Sequence, residues 1–144
     1  CLVIADGFFE WQKRPTGKQP YYVRMLDGRP FAFAGLWERW DHGAGQSIES
    51  CALITTRANE LTRAVHDRMP VILQPDTWDL WLDPEPARSE RLQSLVSLLR
   101  PYPPDQMTAF PVSFVVNKPG NNVPECIEPI GPALGVADAS PHGN

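Results

Sequence analysis

The sequence predicts an α+β domain: a mostly antiparallel, barrel-like β-sheet core with a few short helices. Three observations predict it. Short apolar or alternating segments recur along the chain, several of them closed by turn pairs such as Asp6-Gly7 and Asp27-Gly28. The 144 residues include 16 prolines, where average usage of about 5% would give roughly 7. Each proline fixes φ and removes a backbone donor, so elements must be short. Helical patterning, finally, is confined to brief stretches.

The elements follow in order. Residues 1–5 and 8–12 read as strands broken at Asp6-Gly7. Residues 15–20, Pro-Thr-Gly-Lys-Gln-Pro, read as a loop. Residues 21–25 form a strand, and Asp27-Gly28 a hairpin turn into a strand over 31–37. A loop over 41–47 leads to a strand over 49–55. Residues 59–64 look like one or two helical turns, and 71–73 a short strand. Pro75 suits the start of a short helix over 76–82. A second helix over 90–100 sets Leu92, Leu95, Val96 and Leu99 on one stripe. Residues 112–116 give a late strand, and 131–144 lack hydrophobic pattern and read as a disordered tail. The domain is therefore drawn over residues 1–130. The tryptophan-bearing segments 35–40 and 78–82 are expected to be core, with Trp81 and Leu82 anchoring the short helix. His42 and His142 receive no role.

Bulk properties narrow the class. Apolar residues make up 42% and charged residues 21%, ordinary for a globular protein. A net charge of −4 argues weakly against phosphate binding, but distribution outweighs the sum. Lys13, Arg14, Lys18, Arg24 and Arg29 stand against Asp27 alone in residues 11–30, whereas residues 76–91 are acidic. Cys1, Cys51 and Cys126 form no C-x-x-C and no metal-ligand spacing, which fits a reducing cytosol. No signal peptide and no long apolar run is present, so membrane insertion is not supported. No cofactor motif appears.

Four constellations could carry chemistry. In Phe8-Phe9-Glu10-Trp11, an extended backbone would face Phe8 and Glu10 one way and Phe9 and Trp11 the other. A carboxyl set among aromatics gains a raised pKa, suited to a proton shuttle; the plain reading is a surface glutamate on a half-exposed strand. In His66-Asp67-Arg68-Met69-Pro70, an imidazole can move protons near neutral pH; the plain reading is a polar turn. Thr55-Thr56-Arg57-Ala58-Asn59 could bind phosphate at a strand end, but Thr56 or Asn59 capping the next helix is the better reading there. The basic stretch with Tyr21 and Tyr22 could stack and neutralise a single strand. A solvated face is the preferred reading for it.

Taken together, these segments resemble the SOS response-associated peptidase (SRAP) family, the abasic-site processing proteins. The resemblance rests on Ala5-Asp6-Gly7-Phe8-Phe9-Glu10-Trp11, Lys18-Gln19-Pro20-Tyr21-Tyr22, Ala34-Gly35-Leu36-Trp37-Glu38, Thr55-Thr56, His66 through Leu73, Pro111-Val112-Ser113 and Val116-Asn117. They occur in the family's order over residues 1 to about 130. The resemblance implies a DNA-damage protein that binds single-stranded DNA and cross-links to abasic sites. An N-terminal cysteine, exposed by autoproteolytic removal of the initiator methionine, would react through amine and thiol to form a thiazolidine. Glu10 and His66 would be the catalytic proton carriers; Trp11, Thr55 and Arg68 would bind DNA. No metal or cofactor is implied, and a cytoplasmic, nucleoid-associated monomer is expected. The alternative is a non-covalent single-stranded DNA-binding module.

One departure from the family's pattern stands out. The Met-Cys-Gly-Arg start, with its nucleophile, is absent. Cys1 lies nine positions before Glu10, inside an apolar strand, and is assigned a structural role. Because the chain opens within that strand, further upstream residues are expected, and this chain is expected to hold the Glu/His part of the site.

Overall fold

A computed structural model describes residues 1–41, 43, 45–85 and 88–135. His42, His142 and residues 136–144 of the expected tail lie outside the described residues. Nine strands and three short helices follow one another: β1 (Leu2–Ala5), β2 (Phe8–Arg14), β3 (Gly17–Met25), β4 (Phe31–Asp41), β5 (Ser47–Leu53), β6 (Thr55–Arg57), α1 (Glu60–Arg63), β7 (Arg68–Pro70), β8 (Ile72–Leu73), α2 (Trp78–Leu82), α3 (Ser89–Ser97) and β9 (Met107–Pro111). Every strand pair is antiparallel. The α+β class and antiparallel sheet are as the sequence predicts. The barrel is not: among the described residues the strands form a four-stranded sheet around β4, a three-stranded sheet β2-β3-β9 and the ribbon β6-β7, none closed on itself.

The reason lies at the turns. Asp6-Gly7 and Asp27-Gly28 do not close hairpins; each carries the chain from one sheet to the other. Gly7 passes so close to the Tyr22 ring that a Cβ would sit 2.2 Å from it. Gly28 adopts φ +74°, which glycine enters without steric cost. The two sheets thus pack face to face, and Phe8, Phe31 and Phe33 meet edge to face between them, with centroids 5.1 to 6.5 Å apart. Val23, Met25, Leu61, Met69, Ile72 and Met107 complete this core.

Three element predictions need correction. Residues 15–20 are not a loop: only Pro15-Thr16 turn, and Gly17–Pro20 continue β3 opposite Trp11–Arg14. Pro20 sits in the central strand of its sheet, a position that normally demands a backbone donor. The buried Gln19 amide donates to Val112 O at 2.9 Å from beside it. The predicted strand 112–116 is displaced to β9. There Ser113 accepts the Val115 N–H and turns the backbone into a 3-10 turn over Phe114–Asn117. Leu36, Trp37 and Trp40 are exposed rather than core, because β4 runs beyond its sheet and pairs there only with β5 as a two-stranded arm.

Other expectations divide. Trp81 anchors α2 by donating to Cys1 O at 3.0 Å, whereas Leu82 is exposed. Of the α3 stripe, Leu92 and Val96 face solvent, and Leu99 packs beside Leu98 on Val71 and Leu73. Beyond residue 130, Leu134 N–H donates to Ala109 O at 2.7 Å. No helix among the described residues is long and apolar enough to cross a membrane.

Candidate functional site

Strand alternation places Glu10. Phe8 points into the core and Phe9 packs on Tyr22 and Trp11, so Glu10 shares the Phe8 face, as the sequence predicts. Glu10 is half-buried, and desolvation pushes its carboxyl above the ordinary carboxylate range. The charge of His66 and the Trp11 backbone N–H oppose that rise, and Asp67 adds to it. The imidazole therefore lies near enough to act electrostatically on the acid, although no hydrogen bond joins the two.

The His66 turn is held from both sides. Asn59 caps α1 by accepting the Thr62 N–H at 2.9 Å, and Ala58 N–H donates to Asp67 O at 2.9 Å. Val65 and Met69 are buried, leaving His66, Asp67 and Arg68 exposed between them. His66 Nδ1 accepts the Arg68 N–H at 3.1 Å. The Arg68 carbonyl lies 3.3 Å from the same Nδ1, so the turn's backbone holds this ring nitrogen from two sides. Asp67 Oδ1 stands 3.3 Å from the same Nδ1.

Arg68 and Thr55 form one unit. The guanidinium donates to Thr55 O at 2.8 Å and to Thr55 Oγ1 at 2.6 Å across the β6-β7 ribbon. Its remaining donors stay in solvent, and the Thr55 hydroxyl keeps its own proton to offer. Trp11 lies on the other face of β2, where its Nε1 donates to Asn117 Oδ1 at 2.7 Å. Glu10, His66, Thr55 and Arg68 thus belong to one corner, and Trp11 does not share Glu10's face.

Two residues carry geometry that the sequence reading left without a role. Gln12, two positions after Glu10 on the same face, donates to Ala64 O at 2.7 Å and accepts from Arg14 Nε at 3.0 Å. It ties β2 to the His66 turn, and the alternation that located Glu10 also points to it. Asn117 orients Trp11 from a distant loop, and no local pattern signals that.

The stacking reading of the basic stretch fails. Tyr21 and Tyr22 are buried, Arg29 pairs with Asp27, and Arg24 lies 5.9 Å over the Phe110 ring. Cys1 extends the β1 ladder, its N and O both bonded to Gly35. Cys51 is exposed, Cys126 buried, and all three cysteines are free. Among the described residues no group of His, Cys, Asp and Glu side chains could hold a metal ion. Two cavities, of about 720 and 500 Å³, are lined by neither Glu10 nor His66.

A partly desolvated acid, an imidazole and a guanidinium bonded to Thr55 thus stand at one corner of an α+β domain. The chain belongs to the SOS response associated peptidase family, whose model matches residues 1–119. It is 44% identical over 129 residues to the abasic site processing protein YoqW of Bacillus subtilis, covering 89% of this chain and 56% of that one. It is 33% identical over 159 residues to the abasic site processing protein HMCES of Xenopus tropicalis, covering 93% and 46%. A crystal structure of a Bacteroides thetaiotaomicron protein superposes with a TM-score of 0.77 at 31% identity, over 90% of this chain and 56% of that one. The chain thus spans about half the length of the curated relatives it matches.

Proposed function

We propose that this chain contributes the proton-transfer half of an abasic-site processing protein, which binds single-stranded DNA and becomes covalently joined to abasic sites. The observation that carries the reading is the convergence of Glu10 with the His66 turn, beside the Arg68–Thr55 unit. The sugar aldehyde at an abasic site condenses with an amine to an imine, losing water. Addition of a neighbouring thiol across that imine closes a thiazolidine. Both steps move protons. Glu10 holds its proton to a higher pH than an ordinary carboxyl, so it can protonate the departing hydroxyl and later take the proton back. His66 is exposed, and its imidazole would donate a proton to the sugar oxygen. Arg68 supplies positive charge for a flanking phosphate.

In this reading the 1,2-aminothiol comes from an N-terminal cysteine uncovered by methionine removal, and Cys1 is a strand residue. Removal of that methionine by the same acid would be the peptidase activity. The protein would work as a cytoplasmic, nucleoid-associated monomer. The test uses the protein as its gene encodes it. Incubation with a single strand carrying one abasic site should give a band on denaturing gels that migrates as protein joined to DNA, without added reductant. An intact strand should give none. Binding without any covalent band would favour the non-covalent module instead.

A further inference from the structure

The cavity of about 720 Å³ lies between α1, the start of β8 and the chain after α3. Arg57, Arg63 and Arg100 line it, and Glu60 is the one acid among the lining residues. None of these arginines makes a side-chain hydrogen bond or ion pair with another described residue, whereas Arg29, Arg39 and Arg91 all pair with carboxylates. Three guanidinium groups without a carboxylate partner among the described residues surround one hollow, a lining suited to an anion. Its volume falls within the range of about 300–1,000 Å³ typical of small-molecule pockets.

Arg57 links the cavity to the candidate site. Arg57 faces Arg68 as its direct cross-strand partner in the β6-β7 ribbon, so both side chains leave the same face. Arg68 is fixed on Thr55 in the candidate site, and Arg57 lines the cavity. Arg63 closes α1 immediately before the turn that carries His66. A row of cations therefore runs from the His66 corner into the hollow. Leu98 and Pro101 line the hollow with apolar surface on which a sugar can rest.

The geometry points to this cavity as a binding site for a phosphodiester of the single strand, beyond the nucleotide that reaches Glu10 and His66. The inference rests on the DNA-binding reading above and adds to it a second anchoring point. Free phosphate offers the same chemistry and is separated by experiment.

The experiment measures fluorescence anisotropy of undamaged single strands over a salt series, using the full protein. One strand just spans the candidate site, and the other is extended by several nucleotides on each side. The double variant Arg63→Ala/Arg100→Ala should bind the short strand as wild type does. On the long strand its log–log salt slope should fall by about 1.4, at about 0.7 for each lost phosphate contact. Arg63→Lys/Arg100→Lys should keep most of the slope, which a merely structural role would not require. An unchanged slope on the long strand overturns the site. Equal loss on both strands also overturns it, because general charge and not a separate contact would then be responsible. Inorganic phosphate that raises the Tm of wild type but not of the double variant, with strand binding equal in both, would assign a free-anion site and overturn the DNA assignment. The same holds for an acidic peptide that binds wild type only. If wild type forms no cross-link to an abasic strand but the long-strand slope still depends on Arg63 and Arg100, the function proposed above falls and the cavity stands.

Discussion

Replacing Glu10 with glutamine tests the site at its most constrained group. Glutamine keeps the side chain's shape and still accepts the Trp11 N–H, but it cannot ionise. Burial lifts the Glu10 carboxyl above the ordinary range, and the folded state therefore holds this proton to higher pH than the unfolded chain. Across that window the native state binds more protons, so stability falls as pH rises from the ordinary carboxylate pKa through the raised one and is level beyond it. Glu10→Gln abolishes this loss. The two proteins should melt together below about pH 4, and the variant should melt slightly higher at neutral pH. The gain is small because the carboxyl is partly solvated and His66 offsets some of the burial. Kinetically, a positioned acid–base group contributes about 10²–10⁴-fold, and partial solvation sets Glu10 at the low end. Single-turnover cross-linking to an abasic strand should slow about 10²-fold, with affinity for an intact strand unchanged. An unaltered rate removes Glu10 from the chemistry. A variant that melts lower than wild type at neutral pH refutes the desolvation argument itself.

Further outcomes follow from packing and charge. Gly7→Ala drives a methyl into the buried Tyr22 ring, and should cost about 1–3 kcal/mol by denaturant unfolding, as overpacked cores do. Asn59→Ala removes a helix cap worth about 0.5–2 kcal/mol. It also strips the Tyr102 carbonyl of its 2.8 Å donor, so its midpoint should fall by more than that of Ser113→Ala, whose 3.3 Å bond is exposed. Arg68→Ala should lower the salt slope for single-strand binding by about 0.7; an unaltered slope means that Arg68 touches no phosphate.

What the sequence made legible was local period. Alternation over Phe8–Trp11 placed Glu10 on the correct face of β2, and the Asn59 cap was readable from residue type. Helix and strand class followed from short segments and proline density. Illegible were features decided by distant partners. Pro20 reads as a strand breaker until Gln19 is seen to bond Val112 from the same edge. Val112–Val116 has the stronger β composition, yet Ser113 turns it and Met107–Pro111 takes the ladder. Trp37 and Trp40 read as core because size was the only clue, and nothing local shows that β4 outruns its sheet. Gln12 needed the Ala64 carbonyl, and Asn117 needed Trp11, each across a gap in sequence that no motif spans.

Core and site share their registers. In β7, Met69 is fully buried, so the period of two turns Arg68 outward. In the preceding turn, buried Val65 and Thr62 fix where His66 emerges, and Thr62 itself is bonded to Asn59. In β2, Phe8 is held among Phe31 and Phe33, which sets the face on which Glu10 and Gln12 stand. Arg68, His66 and Glu10 each lie one or two positions from a residue packed in the core, Met69, Val65 and Phe8 respectively. An acid and an imidazole on separate elements, with no hydrogen bond between them, keep their relation through this shared packing. Truncation at Met69 would therefore displace the His66–Arg68 turn as well as destabilise the fold. A site whose exposed groups are fixed from beneath can present them to a large, variable ligand such as a nucleic-acid strand without closing over it.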